Sequence, residues 1–291
     1  MRDVAAPRRR RLRSVNWIAH LILILGVVVF VFPVYIALIG STYDLGTIAR
    51  GEMPLVPGPK ALENYTQAWT SAEGERVKGV GPVRRMMLNS LVMGVVIAAG
   101  KIAISIISAF AVAFFEFPLR MFFFWMIFLT LMLPVEVRII PTYKVVSDLA
   151  MINTYQGLII PLIASATATL IFRQFFLTVP DELVDAAKID GAGPMRFFWS
   201  ILLPLSTTTV AALSVILFIY GWNQYLWPLL ITTQREMNTI VIGITKMIGT
   251  GDAQTDWQLI MAAAILAMLP PVAVVIAMQR WFVKGLTETE K

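Results

Sequence analysis

The chain has 291 residues, of which 58% are apolar and 14% charged, and its net charge is +6. Soluble domains carry roughly 25% charged residues, so this composition points to lipid as the surrounding solvent. Cysteine is absent and His20 is the only histidine, which excludes disulfide frameworks, cysteine nucleophiles and multi-histidine metal sites.

Six arginines (Arg2, Arg8, Arg9, Arg10, Arg11 and Arg13) precede the first apolar run. A basic arm can bind nucleic acid. With a membrane helix following at once, the favoured reading is topogenic: the arginines hold this end in the cytoplasm, and no nucleic-acid partner is expected. The run at 17–40 exceeds the roughly 7–15-residue core of a signal peptide and reads as an uncleaved first span. A polar outer loop is expected over 41–85, irregular through the proline-rich stretch from Met53 to Pro59. The second span is expected at 86–115. A short connector containing Pro118 leads to the third at 121–140, with Pro134 as a kink. The fourth is expected at 156–177, the fifth at 205–231 and the sixth at 258–282, with an outer loop at 232–257. A run of about 20 apolar residues suffices to cross a bilayer. The fold class is therefore an all-α polytopic bundle of about six transmembrane helices. It comprises a basic cytoplasmic tail (1–16), a membrane domain (17–282) and a short polar tail (283–291).

Six spans with the amino terminus inside place both termini in the cytoplasm, where Arg280 and Lys284 flank the last helix. The first outer loop runs against the charge bias, with Arg50, Lys60, Arg76, Lys78, Arg84 and Arg85.

Residues 178–204 read as two short cytoplasmic helices joined by a turn. Thr178 is the expected cap of the first, with Pro180, Asp181 and Glu182 in its first turn. Leu183, Ala186, Ala187 and Ile189 share an apolar face at helical spacing. Asp190-Gly191 ends the helix and Pro194 starts another, whose Phe197, Phe198 and Ile201 can turn back to the membrane core. Periodicity alone leaves two readings open: a surface helix tucked under the bundle, or a docking surface whose small alanines admit a partner.

This segment resembles the coupling loop of importer permeases in the ATP-binding-cassette superfamily. The family pattern is Glu-Ala-Ala, a glycine four residues beyond the second alanine, and a downstream Ile-x-Leu-Pro. Here it reads Asp185-Ala186-Ala187, Gly191 and Ile201-Leu202-Leu203-Pro204, with aspartate in place of the family glutamate. The resemblance implies that Asp185, Ala186, Ala187, Asp190, Gly191 and Pro204 couple the chain to an ATPase subunit. It extends along nearly the whole chain and is nearest to the sugar-importer class that contains the maltose permeases, through Asn89-Ser90, Leu133-Pro134 and the run from Trp222 to Pro228. Phe124–Phe128, Leu131–Arg138, Ala164–Thr169, Phe172–Phe176 and Phe218–Pro228 are similar, more narrowly, to permeases of sn-glycerol-3-phosphate importers. The resemblance implies a heterodimer with a second permease subunit, an ATPase dimer, a periplasmic substrate-binding protein and a bacterial inner-membrane location. It also implies no cofactor on this chain, with ATP and Mg on the ATPase. In keeping with this, no Walker-type phosphate loop is present: the glycines at Gly249 and Gly251 are not followed by Lys-Ser or Lys-Thr.

Several polar residues fall at membrane depth. Lys101 lies near the middle of the second span, where a charge costs about 2.5–3.5 kcal/mol on insertion scales. At about 1.5 Å per residue, Lys101 and Glu136 lie roughly 21 and 22 Å from the inner ends of their helices. A buried Lys101–Glu136 ion pair is therefore expected. Arg138 either faces the pathway, where its planar fork suits phosphate, or snorkels to the outer interface. Trp222, Asn223, Gln224 and Tyr225 are candidates for the pathway lining, because Asn and Gln in lipid must hydrogen-bond across helices or to a polar channel. Arg173 is expected to snorkel at the inner end of the fourth span, and His20 to sit near the inner headgroups.

The rivals are the same machinery importing an uncharged sugar, a stand-alone secondary transporter and a membrane-embedded enzyme. A secondary transporter needs no cytoplasmic loop of this pattern and often shows two repeated halves, which this sequence lacks. The shortage of Cys and His leaves an enzyme few constellations.

Overall fold

The computed structural model describes residues 17–70, 80–248 and 255–288, with side chains detailed up to Gln279 except at Val135. The arginine-rich tail, Arg76, Lys78, residues 249–251 and the side chains of Arg280 and Lys284 lie outside the described residues. All regular structure among the described residues is helical.

The first span is α1 (Trp17–Gly40), which keeps Pro33 inside an intact helix and buries only Ile39 and Gly40. The outer loop that follows carries two short helices, α2 (Leu45–Ala49) and α3 (Ala61–Thr70). Between them the stretch from Met53 to Pro59 is neither helix nor strand, as its prolines require. Asp44 caps α2, accepting bonds from the Thr47 amide at 3.0 Å and hydroxyl at 2.9 Å. The amide bond, then the hydroxyl bond, holds its carboxyl below the usual range.

The central element is α4 (Val83–Phe114), 32 residues long. The third expected span is not one helix. It divides into α5 (Arg120–Leu129) and α6 (Val135–Asp148), with Pro134 at the start of the second. The fourth divides into α7 (Tyr155–Ile159), prolonged by a 3-10 turn to Leu162, and α8 (Ala166–Phe176), bent by 45°. Next come α9 (Asp181–Ile189) and α10 (Pro194–Phe197), the latter running through a π-turn into α11 (Leu203–Leu205). This unit bends by 71° into α12 (Thr207–Trp222). A break at 223–225 precedes α13 (Leu226–Ile231), so the fifth span is also discontinuous. The chain ends in α14 (Ile240–Met247) and α15 (Trp257–Glu288). Thus α15 runs through Pro270 and Pro271 and continues past 282, where a polar tail was expected. By length and composition, three described helices can cross a membrane, or up to five if each bent pair is one span.

Helix α4 packs against α8 on one side and α12 on another. The α12 crossing is tightest at Gly94 and Gly221: a Cβ at Gly221 would meet the Gly94 Cα at 2.9 Å. Small residues permit such close approach where the lipid itself supplies no hydrophobic drive. Near the start of α4, Asn89 donates to the carbonyls of Glu236 and Asn238 at 2.8 and 2.9 Å, and Ser90 accepts from the Ile240 amide at 2.9 Å. The expected outer loop therefore folds back as α14, buried on α4 through Ile240, Ile242 and Gly243. At the inner end, Phe110 and Phe114 of α4 meet Phe198, Phe197 and Phe176 at ring separations of 5.0, 5.5 and 5.9 Å. Aromatic pairs contribute about 0.5–1.5 kcal/mol beyond area burial, so this cluster ties the 178–204 segment to the bundle.

Candidate functional site

Two regions concentrate the polar and small residues singled out above. The first is the hairpin of α9 and α10. Thr178 does not cap α9; its hydroxyl donates back to the Phe175 carbonyl at 2.7 Å, and Pro180 stands at the cap position without a side-chain bond. Asp181 and Glu182 in the first turn and Lys188 in the last complement the helix dipole. Asp185 and Lys188 form an exposed i,i+3 pair at 3.0 Å, which contributes little on a wet surface.

The end of α9 is sharply specified. Gly191 has φ +71°, its amide donates to the Lys188 carbonyl at 3.0 Å, and the Ala192 amide donates to the Ala187 carbonyl at 2.8 Å. This pair of bonds satisfies the last helical carbonyls and needs a residue that adopts the left-handed region cheaply. Asp190 is the C-cap, and Pro204 is exposed within α11.

The two alanines part company. Ala187 is 5% exposed and belongs to the core cluster with Phe197, Phe198 and Leu202, so it faces the chain's own bundle. Ala186, beside Asp185, is exposed. Leu183 is exposed too, and Ile189 is 86% exposed. The shared apolar face read from spacing is thus two faces: one used internally and one left open. Met195 and Trp199 add exposed apolar area on the second half of the hairpin. Spacing missed them because both sit in a sequence run whose neighbours, Phe197 and Phe198, are buried.

The second region surrounds Lys101, near the middle of α4. Lys101 is 7% exposed, and its ammonium stands 3.7 Å from the centroid of the Tyr220 ring. It forms no ion pair with Glu136, which is exposed. The expected pair fails because depth was counted along an unbroken helix. The interruption between Leu129 and Val135 resets both rise and direction, and Glu136 sits in the first turn of a new helix. A cation–π contact contributes about 2 kcal/mol when desolvated. Arg138, also exposed, lies close enough to act on Lys101 as a like charge.

Of the other lining candidates, Trp222 is buried against Phe218 at a ring separation of 5.8 Å and so belongs to the core. Asn223 and Tyr225 are exposed in the break after α12. The half-buried Gln224 donates to the Tyr220 carbonyl at 3.1 Å, satisfying a carbonyl that the break leaves free. Trp227 instead donates to the Gly157 carbonyl at 3.0 Å, docking α13 on α7. The half-buried Arg173 places its guanidinium 4.3 Å from the Phe124 centroid and links α8 to α5. Tyr220 was missed in the sequence, though its position two residues before the Trp222-Asn223-Gln224 run marks it as a neighbour of the break.

Comparison with known proteins bears on both regions. Residues 101–288 match the family model described as the inner membrane component of binding-protein-dependent transport systems. The sn-glycerol-3-phosphate transport system permease protein UgpE of Rhizobium meliloti is 61% identical over 276 residues, covering 95% of this chain and 97% of the relative. The protein of the same name from Yersinia pestis is 53% identical over 279 residues, covering 96% and 98%. A chain in the crystal structure of a bacterial ABC transporter involved in alginate import superposes with a TM-score of 0.78 at 16% identity, over 96% of this chain and all of that one. That likeness shows the fold. With the match running from mid-α4 through the α9–α10 hairpin to the end of α15, the chain belongs to the family of inner-membrane components of binding-protein-dependent transport systems, as a multi-pass transport subunit rather than an enzyme.

Proposed function

We propose that this chain is the permease subunit of an ATP-binding-cassette importer for sn-glycerol-3-phosphate. The observation that carries the substrate is identity of 53–61% over about 95% of the chain to permeases named for that solute. A second permease subunit completes the pathway, a periplasmic binding protein delivers the solute, and a separate ATPase dimer binds ATP and Mg. Both termini face the cytoplasm.

The open face of the α9–α10 hairpin docks on the ATPase. Asp185, Ala186, Ile189 and Gly191 carry this contact: Ala186 lets the partner approach, and Gly191 fixes the turn that aims it. Asp190 and Pro204 set the ends of the hairpin. Ala187 acts from behind, holding α9 to the phenylalanine cluster so that a push on the hairpin reaches α4 and α8. Exposed apolar side chains outside lipid, such as Ile189, favour burial against a partner.

The test is uptake by the assembled complex. With its partner proteins, the chain should support ATP-dependent uptake of labelled sn-glycerol-3-phosphate that maltose and other uncharged sugars do not compete for. Uptake of an uncharged sugar with no uptake of the phosphate ester would overturn the substrate assignment while leaving the family intact.

A further inference from the structure

Three interruptions of helix surround Lys101. Gly100 packs so closely on Ile163 that a Cβ there would meet the Ile163 side chain at 2.9 Å, and Ile163 lies in the bend between α7 and α8. Ser105, one turn further along α4, donates to the Ser165 carbonyl at 3.0 Å in the same bend. Tyr220, whose ring covers the ammonium, precedes the break between α12 and α13. Arg138 follows the break between α5 and α6 by one turn. Irregular backbone at membrane depth is tolerated where it is buried in protein or lines a polar cavity. Paired helix ends of this kind mark ion and substrate sites in other transport folds.

The charges at this point are unbalanced. A largely buried ammonium favours an anion or hydrogen-bond acceptors beside it. Among the described residues Lys101, 7% exposed, has an aromatic face as its neighbour and no ion pair, and Glu136, the carboxylate expected from depth, is exposed and not paired with it. Arg138 adds a second positive charge near enough to act on Lys101. The ring of Tyr220 is itself 37% exposed, so it forms the wall between the ammonium and the open side of the bundle.

We propose that Lys101 is the cation that receives the phosphate group of the solute midway through the membrane, with the Tyr220 ring as the shield that an arriving anion displaces. The inference rests on the reading of the chain as a permease for a phosphate ester. A cation–π contact is weaker than a charge-assisted hydrogen bond to a phosphate oxygen. The resting contact therefore holds the ammonium without competing strongly with substrate.

The experiment uses the assembled complex with its binding protein, measuring uptake of labelled sn-glycerol-3-phosphate and binding-protein-stimulated ATP hydrolysis. Lys101→Met keeps length and apolar packing but removes the charge. It should lower the kcat/KM for uptake by roughly tenfold or more while leaving membrane abundance and co-purification of the ATPase unchanged. Lys101→Arg should restore most of the uptake. Tyr220→Leu, which uncovers the ammonium, should change KM more than kcat. Normal uptake by Lys101→Met would overturn the proposal. So would equal loss in Lys101→Met and Lys101→Arg with an intact complex, since that pattern belongs to a packing role. If Lys101→Met fails to accumulate, Tyr220→Leu decides: an unchanged KM in that variant overturns it. A parent complex that imports only an uncharged sugar defeats the substrate assignment. A parent that imports the phosphate ester and is indifferent to Lys101 defeats this inference alone.

Discussion

The α9–α10 hairpin and the region around Lys101 are built by opposite means. The hairpin is local: α9 and α10 are each one short helix, their ends are set by Pro180, Gly191 and Pro194, and one face is held by phenylalanines of α4 and α8. The Lys101 region is assembled from segments far apart in the chain: Lys101 lies on the unbroken α4, while Ile163, Ser165 and Tyr220 come from in or near the breaks after α7 and α12. A surface that transmits force gains from short, stiffly ended elements. A polar passage through lipid needs broken ones, because only interrupted helices release backbone and polar groups at that depth.

Substitutions within the hairpin sharpen this contrast. Ala187→Trp should be the most damaging to the protein itself: Ala187 is buried in the cluster that holds Phe197, Phe198 and Leu202, and overpacking a filled site costs about 1–3 kcal/mol. Membrane abundance and thermal stability should fall together with uptake. Gly191→Val comes next. The position has open space around it but a φ of +71°, so the expected penalty is strain of about 1–2 kcal/mol rather than a clash. The turn should open, with loss of ATPase co-purification ahead of loss of abundance. Ala186→Trp should leave stability within about 0.5 kcal/mol, as surface changes generally do, yet abolish uptake by obstructing the docking face. If Ala186→Trp transports normally, the open face of α9 is not a docking surface.

A smaller effect is expected in the membrane. Arg138→Gln removes an exposed charge near Lys101. With recognition left mostly to the proposed binding protein, uptake should fall by only roughly two- to fivefold, the size of one exposed charge interaction. Conversion of the system to uncharged sugars by this one change would place recognition in the permease instead.

How far the sequence alone could be read follows from the same contrast. The hairpin's turn at Gly191, the restart at Pro194 and the inward Phe197 and Phe198 are local consequences of residue type, and the structure has them where the sequence puts them. The division of labour between Ala186 and Ala187 was not readable, since both fall within one broad apolar stripe and only packing decides which is covered. Apolar runs located the membrane segments but hid their interruptions. Leu131–Pro134 is as apolar as many intact helices, Asn223–Tyr225 is polar but only three residues long inside an apolar run, and hydropathy carries no record of the 45° and 71° bends elsewhere. The Lys101–Glu136 pair failed for that reason, and the Tyr220 contact was invisible because it joins segments more than a hundred residues apart.

The central claim, that the open face of α9 meets the ATPase, can be tested directly because the chain contains no cysteine. A single cysteine at Ile189, the most exposed apolar residue of α9, gives a unique thiol on that face. Bifunctional cross-linking of the assembled complex should join Ile189→Cys to the ATPase subunit in high yield. A cysteine at Leu62, on the outer-loop helix α3, should give no such product. A complex that retains uptake and yields no ATPase adduct from Ile189→Cys would contradict the claim and leave the hairpin a surface element of the bundle.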